Sequence, residues 1–520
     1  MNGLCIEDLD RVKEVVRHQV REALRMPNTT YADLRVELGE GIGVASEDGN
    51  PRGMSRDFGF SLGVRVIVNH PISASGEEGQ VLGVSDFNHF KRVLKKALLV
   101  AHARASAKAR GKEAFIMKWG NLAYNVHPTA LAPIPVTQIN IVGALKTDPR
   151  TVNTKTLLEH VTDISKEAHS CFPRLTRSVV TASSSLERKL FVSSEGACID
   201  TTYAYTGGFP FYVALADGHP PFDIYCDFGN QVGLEAIFEG VNSYGATYRD
   251  FCLNLAKEAN DLVIAPQLEP TEKPVVVVTD PDFNALVAHE IVAHPSELDR
   301  AMKWETGYAG RSWFMKTPKD TMVGQPIGSP LLNAFSDPTL TGAYGHYEYD
   351  DEGTPAKRVW HIKDGVFQNF LNSRQTAAMI GTEPNGHFLA SDASVAPVIR
   401  MSVSSFAAGN RNPKDIIGEV EDGYYFVGHR IPAIGESRQN FRISGRLVRR
   451  IRGGELQELY RDGSITSDTK DFFMSIDAVG NDWKIFAIPN CGKGQPMQGK
   501  RVGNGGPTMR GLARLAGKAV

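Results

Sequence analysis

The chain contains no run of about 18 apolar residues, so no segment reads as a membrane-spanning helix. It also has little net charge. The 57 Lys and Arg residues nearly balance 59 Asp and Glu, leaving −2. That balance provides no global basic field for nucleic acid and no polybasic face for a membrane surface. Cysteine is scarce, with six in 520 residues and none in a Cys-x-x-Cys pair. Such sparsity speaks against a disulfide framework and for a reducing compartment, the cytoplasm. Cys5, Cys171, Cys198, Cys226 and Cys252 read as small, buried, reduced residues. No Gly-x-Gly-x-x-Gly follows a strand and no P-loop occurs, which removes support for nucleotide binding. The first residues carry Glu7, Asp8 and Asp10 rather than a basic-then-apolar leader, so no signal peptide is expected.

What is present is globular. Hydrophobic residues make up 42% and charged residues 22%, ordinary values for a soluble chain. A length of 520 residues exceeds one ordinary core and predicts two lobes. The Pro- and Glu-containing stretch 266–273 is the expected boundary, giving an N-terminal α+β domain over 1–265 and a β-rich domain over 266–520. Apolar residues three and four apart predict a helix over 6–25. Further helices are expected from Ser85 to about Lys108, over 153–170 and over 246–262. Alternating stretches at 31–38, 41–45, 59–68, 178–205, 211–215 and 222–228 read as strands. Val126 to Val152 is Pro-rich and reads as a connection. Grouped strands separated by single helices favour α+β with antiparallel sheets over a wound parallel sheet.

In the second half, Pro274 to Thr279 is an unbroken β-branched run and predicts a buried strand. Asp280 and Pro281 then supply an N-cap and a first-turn proline for a helix. That helix leads into His289-Glu290-Ile291-Val292-Ala293-His294-Pro295. Two histidines flanking a carboxylate suit a metal ion with a base beside it. The spacing is unusual. At about 100° per residue, positions five apart lie roughly 140° apart around a regular helix. His289 and His294 can therefore share an ion only across a π-type bulge or a break. Pro295 cannot donate to the carbonyl of Ile291, crowds it, and disfavours helical geometry at His294. A catalytic zinc site needs a third protein ligand. Glu290 is better placed as base on the water, which leaves Glu297, Asp299 and Cys491 as candidates. Cys491 lies in the Gly-rich stretch Pro489 to Pro496, where neighbouring Lys493 would favour a thiolate.

Together, Gly63-Val64-Arg65-Val66, the His-Glu-x-x-x-His stretch, Asp350-Asp351-Glu352-Gly353-Thr354-Pro355 followed by Asp364-Gly365-Val366, and Cys491-Gly492-Lys493-Gly494-Gln495 resemble the TldD/PmbA family, and specifically its TldD branch. The resemblance implies a zinc-dependent peptidase acting on unfolded or small peptides. It implies one Zn2+ held by His289, His294 and Cys491, with Glu290 as general base. It also implies a homodimer, or a heteromer with a PmbA-like homologue that lacks the metal motif. No substrate-binding residue is assigned. Pro295-Ser296 after the motif and the Arg-rich segment 438–452 depart from the family pattern. Asp350, Asp351 and Glu352 read as a turn rather than a second carboxylate site. His346 and His361 read as surface or packing residues, and Arg438, Arg442, Arg446, Arg449, Arg450 and Arg452 as the outer face of a strand pair. The rival to catalysis is a regulatory or partner subunit with a structural zinc.

Overall fold

The computed structural model describes residues 4–123, 126–241, 243–244 and 247–517. Its first half is built on an eight-stranded sheet. Two unusually long strands, Thr29–Glu47 and Asn50–Asn69, form a hairpin through Asp48 and Gly49, both at positive φ (51° and 71°). That is the two-residue turn whose twist matches paired strands. Ser73–Val81 pairs on one side; Leu175–Ser193 and Cys198–Ala214 follow on the other. The stretch 126–152 is not purely a connection. Gln138–Val142 adds a strand parallel to Cys198–Ala214.

Leu34, Val36, Leu38, Leu62, Val64 and Val66 alternate onto one face, which is covered by helices Leu9–Ala23 and Phe90–Trp119. Each fully buried side chain of this kind contributes about 1.5–3 kcal/mol, against about 0–1 kcal/mol for an exposed ion pair. The apolar face therefore sets the register. The second helix starts at Phe90 and runs eleven residues past the expected end at Lys108. Its small stripe of Ala97, Ala101, Ala105 and Ala109 is buried and lets the backbone approach Gly76, where a Cβ would lie 2.1 Å from the carbonyl of Ala101. The opposite face of the sheet carries Asp33, Arg35 and Glu37, then Gly39, Gly41 and Gly43. Helices Thr154–Cys171 and Tyr248–Leu262 cover a separate apolar cluster; the expected start at Ala246 lies outside the described residues.

The second half contains a seven-stranded sheet, in which Val275–Thr279 lies between Asp422–Ile434 (parallel) and Met509–Ala516 (antiparallel). A six-stranded sheet ends in the hairpin Lys484–Lys493 and Gln498–Gly506. The helix Pro281–Ala288 packs against strands of both sheets and is buried at every residue. The expected α+β class with mainly antiparallel sheets holds; among the described residues three strand-to-strand pairings are parallel. Among the described residues no helix is long and apolar enough to cross a membrane.

The cysteines are free. Cys198, Cys226, Cys252 and Cys491 are buried, whereas Cys171 is exposed and Cys5 half-buried, a correction to the uniformly buried expectation. Cys171 ends an amphipathic helix, where composition alone does not reveal which face it occupies.

Candidate metal centre

Asp280 caps the Pro281–Ala288 helix by accepting from the Phe283 N–H at 2.7 Å. At His289 the helix widens into a π turn spanning His289–Ala293, closed by the His294 N–H donating to the His289 carbonyl. A 3-10 turn over His294–Ser296 follows. The distortion demanded by the five-residue spacing is therefore present. It arises differently from expectation, however. His294 stays in the right-handed helical region (φ −58°, ψ −46°), and the chain turns extended only at Glu297 (φ −73°, ψ 117°). Ser296 Oγ donates to the Val292 carbonyl at 2.6 Å, occupying one acceptor that the irregular turns leave free.

The π turn brings the two imidazoles edge to face, with ring centres 4.7 Å apart. Cys491 arrives from the Lys484–Lys493 strand, its Sγ 3.6 Å from His294 Nε2. Candidate ligand atoms of His289, His294 and Cys491 all lie within 4.8 Å of one another, and all three residues are buried. Glu297 and Asp299 do not belong to this group.

The donor set fits Zn2+ on its chemistry: two imidazoles and one thiolate, a combination that zinc sites use. The tautomers fit as well. Asn504 directs its amide N–H to the Ser404 carbonyl at 3.2 Å, so its Oδ1 faces His289 Nδ1 at 2.9 Å and accepts from it. Glu297 accepts from His294 Nδ1 at 3.1 Å. Both rings thus carry their proton on Nδ1 and leave Nε2 free to ligate. Burial would push the Cys491 thiol up, but His294, His289 and Arg400 outweigh it and hold it well below the ordinary range. Burial would lower His289, yet the Cys491 charge raises it to about 9. In the metal-free protein the ligands thus share a proton, which a cation would displace.

Glu297 is the hub of the buried support. It also accepts from Arg300 Nε at 2.8 Å, from Lys493 Nζ at 3.1 Å and from the Met401 N–H at 3.1 Å. Burial pushes its carboxyl up, but Lys493 and His294 hold it well below the usual range. Lys493 also binds Asp299 at 2.7 Å. It therefore organises this hub rather than lying beside the Cys491 thiol, as its sequence position suggested; thiolate stabilisation comes from the histidines and Arg400.

Glu290 stands at the mouth of the group with its side chain 14% exposed. Arg438 Nη1 donates to its Oε2 at 2.5 Å and to its carbonyl at 2.8 Å. Among the described residues its Oε1 has no hydrogen-bond partner. Burial would raise its carboxyl, but Arg438, His289 and His294 bring it down to about 2. Arg438 also donates to the carbonyls of Ala309 and Tyr308 (3.0 and 3.4 Å), tying the 308–309 turn to the site. The expectation that Arg438 lies on an outer strand face is thus corrected. It sits at positive φ (61°) just before the strand Asn440–Arg452 begins, so strand periodicity does not apply to it. Arg446 is likewise engaged, with Glu258 and Asp282.

Asp350 forms the expected turn, accepting from the N–H groups of Glu352 and Thr354. Asp351 and Glu352 instead pair across to Lys189 (2.8 Å) and Arg65 (3.1 Å) of the first sheet. His346 and His361 are buried packing residues, bonded to the Pro338 carbonyl and Ser336 Oγ respectively. Asn504 and Arg438 carry no sequence signal as site residues. Only sheet register and a turn bring them to the histidines.

Residues 272–511 match the family model described as the PmbA/TldA metallopeptidase C-terminal domain. A metalloprotease of Methanocaldococcus jannaschii is 24% identical, covering 94% of this chain and 97% of its own. A zinc metalloprotease TldD homolog of Saccharolobus solfataricus is 26% identical over 46% of this chain and 50% of its own. Among solved structures, a protein from Thermotoga maritima described as a putative modulator of a DNA gyrase superposes with a TM-score of 0.71 at 14% identity, covering 97% of this chain and all of its own. The family match spans the stretch that carries every residue of the candidate metal group, so residues 272–511 form a domain of the PmbA/TldA metallopeptidase C-terminal type, and the fold likeness spans nearly the whole molecule.

Proposed function

We propose that the protein is a zinc-dependent peptidase of the TldD-like catalytic branch, hydrolysing peptide bonds in unfolded or small peptides. His289, His294 and Cys491 would hold one Zn2+. The observation that carries this reading is the pairing of a buried two-imidazole, one-thiolate group with a carboxylate that is not one of its ligands. Among the described residues, Glu290 keeps one oxygen free of protein partners while Arg438 fixes the other. A purely structural zinc has no use for such a group.

Bound Zn2+ supplies positive charge that polarises a carbonyl and lowers the pKa of water. Glu290 Oε1 takes a proton from the attacking water as its oxygen bonds to the peptide carbonyl carbon, and returns it to the amine nitrogen when the C–N bond breaks. Arg438 keeps Glu290 ionised and aimed. Asn504 and Glu297 hold the imidazole tautomers through both steps. A thiolate in the ligand set donates more charge than a third imidazole, so turnover is expected to be slow. The working assembly on this reading is a dimer, of two copies or with a PmbA-like homologue, in the cytoplasm.

A structural zinc in a regulatory subunit is favoured by one observation, the near-complete burial of all three candidate ligands. One experiment separates the two. Zinc-loaded wild type and Glu290→Gln are compared on an unfolded protein substrate, with and without chelator. Full zinc content in both, with cleavage at least about 100-fold slower in the variant, supports the catalytic reading. A zinc-loaded variant that cleaves at the wild-type rate refutes the role of Glu290; wild type that never cleaves favours the structural zinc.

A further inference from the structure

The polar face of the first sheet does not pack dry against the second half of the chain. A cavity of about 410 Å³ lies between them, reaching from Glu37 and Lys189 to Lys500 on the hairpin that carries Cys491. Most charges around it are matched. Lys189 donates to Asp351 at 2.8 Å, and Arg501 to Glu187 at 2.8 Å.

Two are not. Lys500 Nζ makes a single hydrogen bond, to the Ala390 carbonyl at 2.9 Å, and among the described residues no carboxylate lies within ion-pair distance of it. Glu37 Oε2 is buried without a hydrogen-bond partner. Its nearest cation, Lys189 Nζ, stands off at 3.7 Å. Burial pushes the Glu37 carboxyl up to about 6, with Lys189 opposing. Glu37 and Lys500 feel each other's charge across the cavity yet lie beyond ion-pair distance. A half-buried ammonium with one hydrogen bond, and a carboxylate oxygen buried without any, are costly unless something supplies the missing bonds. The space between them is of ligand size, within the roughly 300–1,000 Å³ usual for small-molecule sites. Phe191, Ile199, Tyr205, Tyr347 and Leu389 give it apolar and aromatic walls.

We propose that this cavity binds a small zwitterion, an α-amino acid or dipeptide with an apolar side chain, whose carboxylate meets Lys500 and whose ammonium meets Glu37. In an amino acid the two charges flank one Cα and in a dipeptide they stand one residue further apart, so either ligand offers both signs to an under-paired cation and anion across one cavity. The side chain goes to the aromatic wall. Binding requires neither zinc nor peptide hydrolysis.

Calorimetric titration of the full-length, zinc-loaded protein tests it. The probes are L-phenylalanine, the Phe-Phe dipeptide, N-acetyl-phenylalanine and phenylalanine amide. Saturable binding of one of the first two, weakened at least tenfold by blocking either terminus, is expected. Lys500→Met and Glu37→Gln should each weaken it to a similar degree, with zinc content and melting temperature retained. If either variant fails to fold, the blocked ligands decide. No saturable binding of any probe, or equal binding of blocked and free forms, means that the cavity holds only water and overturns the proposal.

Discussion

Replacing Asn504 with leucine tests whether the metal group depends on its supporting hydrogen bonds. Asn504 is fully buried, and its Oδ1 accepts from His289 Nδ1 at 2.9 Å. Leucine has a similar volume but no acceptor. With Nε2 committed to the metal, the Nδ1–H would be left buried and unpaired, which costs about 1–3 kcal/mol. In the metal-free protein the ring has a second option. It already interacts with Cys491, and it can exchange tautomer and turn to satisfy that proton. Most of the penalty therefore falls on the loaded state and appears as lost affinity. At about 1.4 kcal/mol per factor of ten, a loss of 10- to 100-fold is expected, the range usual for groups that orient a ligand. Competition against a chromophoric chelator measures it, and thermal melting of the metal-free form shows whether the fold itself was harmed. Zinc affinity within about twofold of wild type, with the metal-free melting temperature unchanged, would refute the inference that Asn504 sets the His289 tautomer.

Two further outcomes follow from the same geometry. Arg438→Met removes the cation that holds the Glu290 carboxyl down near 2. Glu290 then needs a higher pH to ionise, so the acidic limb of the cleavage rate should move upward by about one pH unit or more; an unmoved limb would show that Arg438 does not control Glu290. His361 and His387 are buried and held neutral by burial, which lowers them to about 4 and about 3. The unfolded chain binds their protons from about pH 6.5 downward, so stability is lost as pH falls through 6.5 towards those values. Between pH 7.5 and 5 each histidine should cost about 2 kcal/mol, and a His387→Gln protein should lose about half of that part of the slope in pH-dependent denaturant melts. A slope unchanged in the variant would show that His387 is not buried neutral.

Much of the local geometry of the candidate metal site is legible in the chain because its helix and histidines are close in sequence. The β-branched run ending in Asp280-Pro281 announces a buried strand and a capped helix; both elements form, though the strand is buried only from Val277 onward, with Val275 and Val276 half-buried. The five-residue spacing of the histidines demands an irregular turn on geometric grounds alone. What failed was the mechanism assigned to Pro295. The bias a proline imposes on the preceding residue was overridden here, because His294 gains its own π-type hydrogen bond to the His289 carbonyl. The change in backbone direction is deferred to Glu297, where the side chain turns back to hold the ring of His294.

The groups that sequence did not reveal are non-local. Chain proximity pairs Lys493 with Cys491, whereas in a strand residues two apart share a face but not a partner. Its ammonium reaches Glu297, nearly 200 residues earlier. Asn504 reaches His289 from the strand paired with that of Cys491, so one hairpin supplies both a candidate ligand and the orienting group for another. Arg438 escapes any periodic reading because it lies in a turn at positive φ. These three residues share a consequence for assembly of the site. The π turn can shape the histidines locally, but their tautomers, the third candidate ligand and the aim of Glu290 come from the hairpin 484–506 and the turn at 438. The metal group is therefore complete only once both C-terminal sheets have closed on the Pro281–Ala288 helix, so metal binding and packing of that half of the chain should stabilise each other.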